Sequence, residues 1–254
     1  MSIPVPLRLG SAAILPLLLA GSSVPADAWP AEAYRSMVFD TMRLLPPALG
    51  RVLWRRSDAV SEGVSSLEGT TASSLARDGR EGTLSAELAG DVESRIDRIV
   101  HMVDEHDSFD EIAREFGKLL RIAADLADPT VVGAGRDDLR RVAPEYVRFV
   151  GLNLDRVPLV FDRGLPSPLD GASVSDLLSR LRDATRASIE PLGTAFWKDG
   201  RVLPAESFDY RSIPYGELSL SYSRGVTAAS YLWLSAWKNA NGDFTGYRFS
   251  KKSP

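Results

Sequence analysis

Cysteine is absent from this chain of 254 residues, and histidine occurs twice. The first absence excludes disulfide staples and thiolate metal sites, and leaves no cysteine to carry an N-terminal lipid, so the fold must be held by core packing or by packing plus a bound ion. No segment approaches 18 consecutive apolar residues, which argues against a membrane span. Strand patterning is weak throughout. The chain also lacks a nucleophile elbow, a glycine-rich phosphate loop and a paired-cysteine metal motif. Its net charge of -4 gives no reason to expect avid binding to nucleic acid or anionic lipid.

What is present begins with an export pattern. Arg8 is the only charged side chain ahead of Asp27, and an apolar run from Leu9 to Ala20 follows it, too short for a stable span. The small-x-small triplet Ala26-Asp27-Ala28 then has the form of a cleavage site. Residues 1–28 are therefore expected to be a signal peptide and residues 29–254 the working domain, periplasmic or secreted, with no transmembrane segment. Arg8 and Asp27 would leave together, so the net charge is unchanged.

The mature region patterns as one all-α domain of six or seven helices. Tyr34, Val38, Met42 and Leu45 recur at helical spacing before Pro46-Pro47, with Leu49, Val52 and Leu53 beyond. Residues 61–86, rich in Gly, Ser and Thr, are expected to be a surface excursion with little regular structure. Helices are predicted over Glu87 to Val103, from a cap at Asp107-Ser108 to Asp128-Pro129, over Asp138 to Val157 with a kink or new start at Pro144, and over Ser173 to Phe196 with a break at Pro191. A long connector containing Pro204 and Pro214 leads to a last helix from Leu218 to Ala240, with Tyr222, Val226, Ala229, Trp233 and Trp237 on one stripe.

Few residues here suggest chemistry. His101 and His106 are five apart, a poor spacing for one helical face, so solvated or capping roles are expected ahead of a shared metal. Asp125 lies one turn after Arg121, and Glu145 one turn after Arg141, so intrahelical ion pairing is the plain explanation for each. A buried Asp125 would instead require a cation or strong hydrogen bonds. Trp197, Trp233 and Trp237 are expected in the core or as groove walls, and Phe208 to Gly216 as a structural cap.

Several segments together resemble the helical superfamily of bacterial zinc-dependent phospholipase C and the single-strand-specific zinc nucleases. They are Trp29-Pro-Ala-Glu-Ala-Tyr34, the run Phe109 to Pro129, and Tyr215 to Val226 continuing to Trp233 and Trp237. The resemblance implies an all-α scaffold with a zinc cluster that activates water against phosphoesters. It also implies metal-ligand positions at Trp29, through its amine and carbonyl, at Asp125 and at Glu145. Where the family has histidines, this chain has Tyr34, Arg121, Val131 and Arg141.

Two arginines in ligand positions would repel a cation and pair with the carboxylates that remain. The expectation is therefore an Arg121, Asp125, Arg141, Glu145 salt-bridge network in place of metal, no cofactor, and a non-catalytic binding or structural module whose partner is a small molecule, lipid or protein. The alternative is a divergent zinc-dependent phosphoester hydrolase, with Trp29, Asp125, Glu145 and Asp58 or His101 holding a single ion. An unrelated ligand carrier or assembly partner is the third possibility.

Overall fold

A computed structural model of the chain describes residues 29–67 and 86–247, and the expected signal peptide lies outside the described residues. The described part is all-α. Its helices are α1 (Ala31–Arg43), α2 (Pro47–Trp54), α3 (Ser57–Ser65), α4 (Ala86–Asp104), α5 (Phe109–Leu126), α6 (Pro129–Val132), α7 (Asp137–Asn153), α8 (Val174–Phe196) and α9 (Ile213–Asn239).

The local signals that start and stop these helices act as expected in several places. Ser108 caps α5 by accepting a hydrogen bond from the Asp110 amide. Ser173 and Asp176 complete a reciprocal capping box at α8. Pro47 sits in the first turn of α2, where a missing amide costs nothing, and Pro214, expected in the connector, sits in the first turn of α9 for the same reason. His106 takes a left-handed conformation just beyond α4, and both histidines are solvent-exposed.

Other expectations change. α3 occupies the start of the stretch that was expected to be irregular, because Ala59, Val60, Gly63 and Val64 form one buried face packed across α5. The crossing is so close that a Cβ on Gly63 would stand 2.0 Å from the Arg114 carbonyl oxygen, and one on Gly117 would stand 2.0 Å from that of Val60. Glycine here serves backbone contact between helices and is not a mark of disorder. Helices α7 and α8 run unbroken through Pro144 and Pro191. Each proline removes one ladder bond, and residues on both sides of it, Val142 and Tyr146 in α7, Ile189 and Leu192 in α8, are buried and hold the helix together.

α9 is the central post. It starts five residues earlier than expected, and every residue from Gly225 to Ala236 is buried, so it has no solvent face there. Its small and hydroxyl residues let neighbours approach: Thr227 donates to the Ser223 carbonyl at 2.7 Å and Ser230 to that of Thr227 at 2.7 Å. Trp233 lies at this core, its indole donating to the Phe116 carbonyl at 2.8 Å, with the two rings edge to face at 5.5 Å. Trp237 is half-buried, and Trp197 is 37% exposed on a small hairpin rather than in the core.

That hairpin pairs β1 (Trp197–Lys198) with β2 (Arg201–Val202), joined by Asp199-Gly200 with both φ angles positive. An Asp-Gly turn with this geometry suits the twist of a two-residue hairpin. Phe208 packs against Phe149 and Phe196, as a structural cap should, whereas Tyr210 remains exposed.

Candidate functional site

The site is built where α1, α3 and α5 meet. Along α1, Tyr34, Arg35 and Val38 recur at helical spacing, and Ser57, Asp58, Ser61 and Glu62 face them from α3. Between them lies a cleft of about 810 Å³, with Trp29 at one side and Arg121 of α5 also in its wall. Val38, Val64 and Phe39 supply apolar surface, and serine hydroxyls and exposed Arg35 and Asp58 supply polarity. Ser61 donates to the Ser57 carbonyl at 2.8 Å, an ordinary helical hydroxyl contact. No histidine lines the cleft.

Arg121 and Asp125 are both buried, at 3% and 0% exposure, and their side chains pair at 2.9 Å on consecutive turns of α5. The guanidinium also stacks on the Tyr34 ring, 4.4 Å from its centroid. The Tyr34 hydroxyl donates to the other Asp125 oxygen. Burial, followed by the Asp125 charge, pushes the Tyr34 hydroxyl far above its usual pKa, only partly offset by Arg121, so it remains a donor. Trp29 is fully buried and its indole donates to the Ala124 carbonyl at 2.9 Å, tying the start of the described chain to α5.

The expected four-residue network does not form as a unit. Arg121 and Asp125 pair, but Glu145 accepts the Ala205 amide at 2.8 Å, and the Arg141 guanidinium lies over the Trp197 ring at 5.8 Å. Arg148, two turns beyond Arg141, pairs with Glu206. The outer face of α7 therefore holds down the hairpin and the turn before α9, a role that helical spacing alone does not reveal.

The three positions expected to carry metal fare differently. Trp29 meets α5 through its indole, at the Ala124 carbonyl one residue before Asp125, and Glu145 is engaged with the Ala205 amide. Both Asp125 oxygens accept protein donors, one of them a cation, so the donor set does not fit a zinc ion as arranged. Among the described residues no group of three or more His, Cys, Asp or Glu side chains has a metal-binding arrangement. Of the cleft wall, Ser57, Ser61 and Glu62 escape notice in the sequence because α3 was not recognisable as a helix; the buried spacing of Ala59, Val60 and Val64 was the signal to follow.

Comparison with known proteins leaves this geometry as the main guide: no family model, no curated protein and no solved structure matches the chain.

Proposed function

We propose that the chain is an exported, non-catalytic binding module that uses a phospholipase C-like or nuclease-like helical scaffold without its zinc chemistry, and holds a small ligand in the cleft between α1 and α3. The observation that carries this reading is the closure of Asp125. A carboxylate that accepts from Arg121 and Tyr34 already has its countercharge and its donors, and a metal would have to displace a buried guanidinium. The cleft adds support, since its apolar wall with hydroxyls and an exposed arginine suits a compact organic molecule with an anionic or hydrogen-bonding end.

The test is metal analysis of the purified protein together with assays on lipid and single-stranded nucleic-acid phosphodiesters, with and without zinc. The expected result is neither bound zinc nor zinc-stimulated turnover, and fragment binding that a Ser61→Trp substitution in the cleft wall removes. Hydrolysis abolished by Asp125→Ala, or tightly bound stoichiometric zinc, would establish the divergent hydrolase instead.

A further inference from the structure

The two helical walls of the cleft differ in chemistry. From α1 come Tyr34, Arg35, Val38 and Phe39, an aromatic and aliphatic surface with one guanidinium. From α3 come Ser57, Asp58, Ser61, Glu62 and Ser65, which follow the helical repeat, so hydroxyls and carboxylates alternate along that wall. Phe39 is half-buried and is backed by the half-exposed ring of Trp54, with centroids 5.0 Å apart, so the apolar wall has a fixed aromatic end.

Four charged side chains line the cleft: Arg35, Arg121, Asp58 and Glu62. Two of them are committed elsewhere, Arg121 to Asp125 at 2.9 Å and Glu62 to Arg114 at 2.8 Å. Arg35 and Asp58 are both exposed, and neither forms an ion pair among the described residues, with the other or with a third group. Asp58 lies in the first turn of α3, where its charge suits the helix dipole, but no cation occupies its oxygens. Two opposite charges therefore face one space from opposite helices without meeting.

The balance of charge decides which ligand suits this wall. Its two guanidiniums and two carboxylates sum to zero. A simple anion would gain from Arg35 but meet the carboxylates of α3, and a simple cation would gain from Asp58 but meet Arg35. A molecule that carries both signs engages each free group and is as neutral as the wall itself. One free guanidinium matches a carboxylate, whereas a phosphate group would bring up to two negative charges against it. One free carboxylate matches one ammonium. The surface of Val38, Phe39 and Val64 then suits a hydrocarbon or aromatic side chain.

We propose that the cleft binds a free α-amino acid with an apolar side chain, its carboxylate on Arg35, its ammonium on Asp58 and its side chain against Val38 and Phe39. This rests on the reading of the cleft as a small-ligand site and adds the class of the ligand and its orientation.

The purified protein is titrated, by calorimetry and ligand-detected NMR, with leucine and phenylalanine. Two analogues separate the charges: N-acetyl-leucine keeps only the negative one, and leucinamide only the positive one. Both amino acids should bind once per chain, and each analogue at least about fivefold more weakly than leucine. Arg35→Gln and Asp58→Asn, both at exposed positions, should each weaken leucine at least about fivefold. Arg35→Gln should leave leucinamide no weaker, and Asp58→Asn should leave N-acetyl-leucine no weaker, a pattern that a merely structural role would not produce. Equal binding of leucine and N-acetyl-leucine, or unchanged leucine affinity in either variant, would overturn the proposal. So would failure of both amino acids to bind while neutral fragments bind and are lost in Ser61→Trp, an outcome that leaves the small-ligand reading standing. Absence of any fragment sensitive to Ser61→Trp, together with absence of amino-acid binding, would overturn both.

Discussion

Asp125 and Asp128 lie one turn apart, are both fully buried, and have opposite surroundings. Asp125 faces an arginine from its own helix and a tyrosine from α1, and is closed on both oxygens. Asp128 caps a helix with one oxygen, and its other oxygen is buried without a partner. Burial pushes its pKa up to about 7, the Thr130 hydrogen bonds pull it down, and the Asp125 charge adds a smaller push upward. The comparison teaches that burial does not settle what a carboxylate does; the groups brought against it by other helices do.

Removing Arg121 should have the largest effect. Arg121→Met leaves Asp125 buried without its cation and should cost about 3–5 kcal/mol in chemical denaturation. Adding Asp125→Leu should restore much of the loss, since both charges are then gone. A single-variant cost below about 1 kcal/mol would mean that the two carboxylates are not in different states after all.

The next test addresses Asp128. Its pKa rises on folding from an ordinary 3.8 to about 7. Between those values the native state keeps a proton that the unfolded chain has lost. Stability therefore falls as pH rises through that window, by up to about 1.4 kcal/mol per pH unit from this group. Asp128→Asn, an uncharged isostere that keeps the cap, should flatten the slope in urea denaturation between pH 4 and 7. An unchanged slope would remove the contrast with Asp125.

The smallest effect is expected at Tyr34. Tyr34→Phe keeps the ring beneath Arg121 and removes one donor to a charged acceptor, worth about 1.5–3 kcal/mol. A loss as large as that of Arg121→Met would show that the phenol, and not the guanidinium, is the main counterpart of Asp125.

Much of this organisation is legible in the chain because it depends on neighbours within a few residues. The Arg121–Asp125 spacing announces an intrahelical pair, Ser108 and Ser173 announce helix starts, and the apolar periods of α4 and α5 are plain. Arg141 and Glu145 share the same spacing as Arg121 and Asp125, yet they separate, because the hairpin and the turn at Ala205 offer each a long-range partner. α3 is short and carries glycine, so its local signal is weak until Gly63 and Gly117 are seen in backbone contact across the crossing. Asp199-Gly200 was a hairpin signal that could have been read from the residues alone.

The sequence by itself determined an all-α class, the helix caps and the pairing of Arg121 with Asp125, since each depends on helical period or on residues within a turn. Only the tertiary structure decided that Tyr34 completes that pair, that Glu145 serves a distant amide, and that one oxygen of Asp128 is buried without a partner. These are contacts between segments far apart in the chain, and no local period encodes which buried oxygen will meet a donor and which will not.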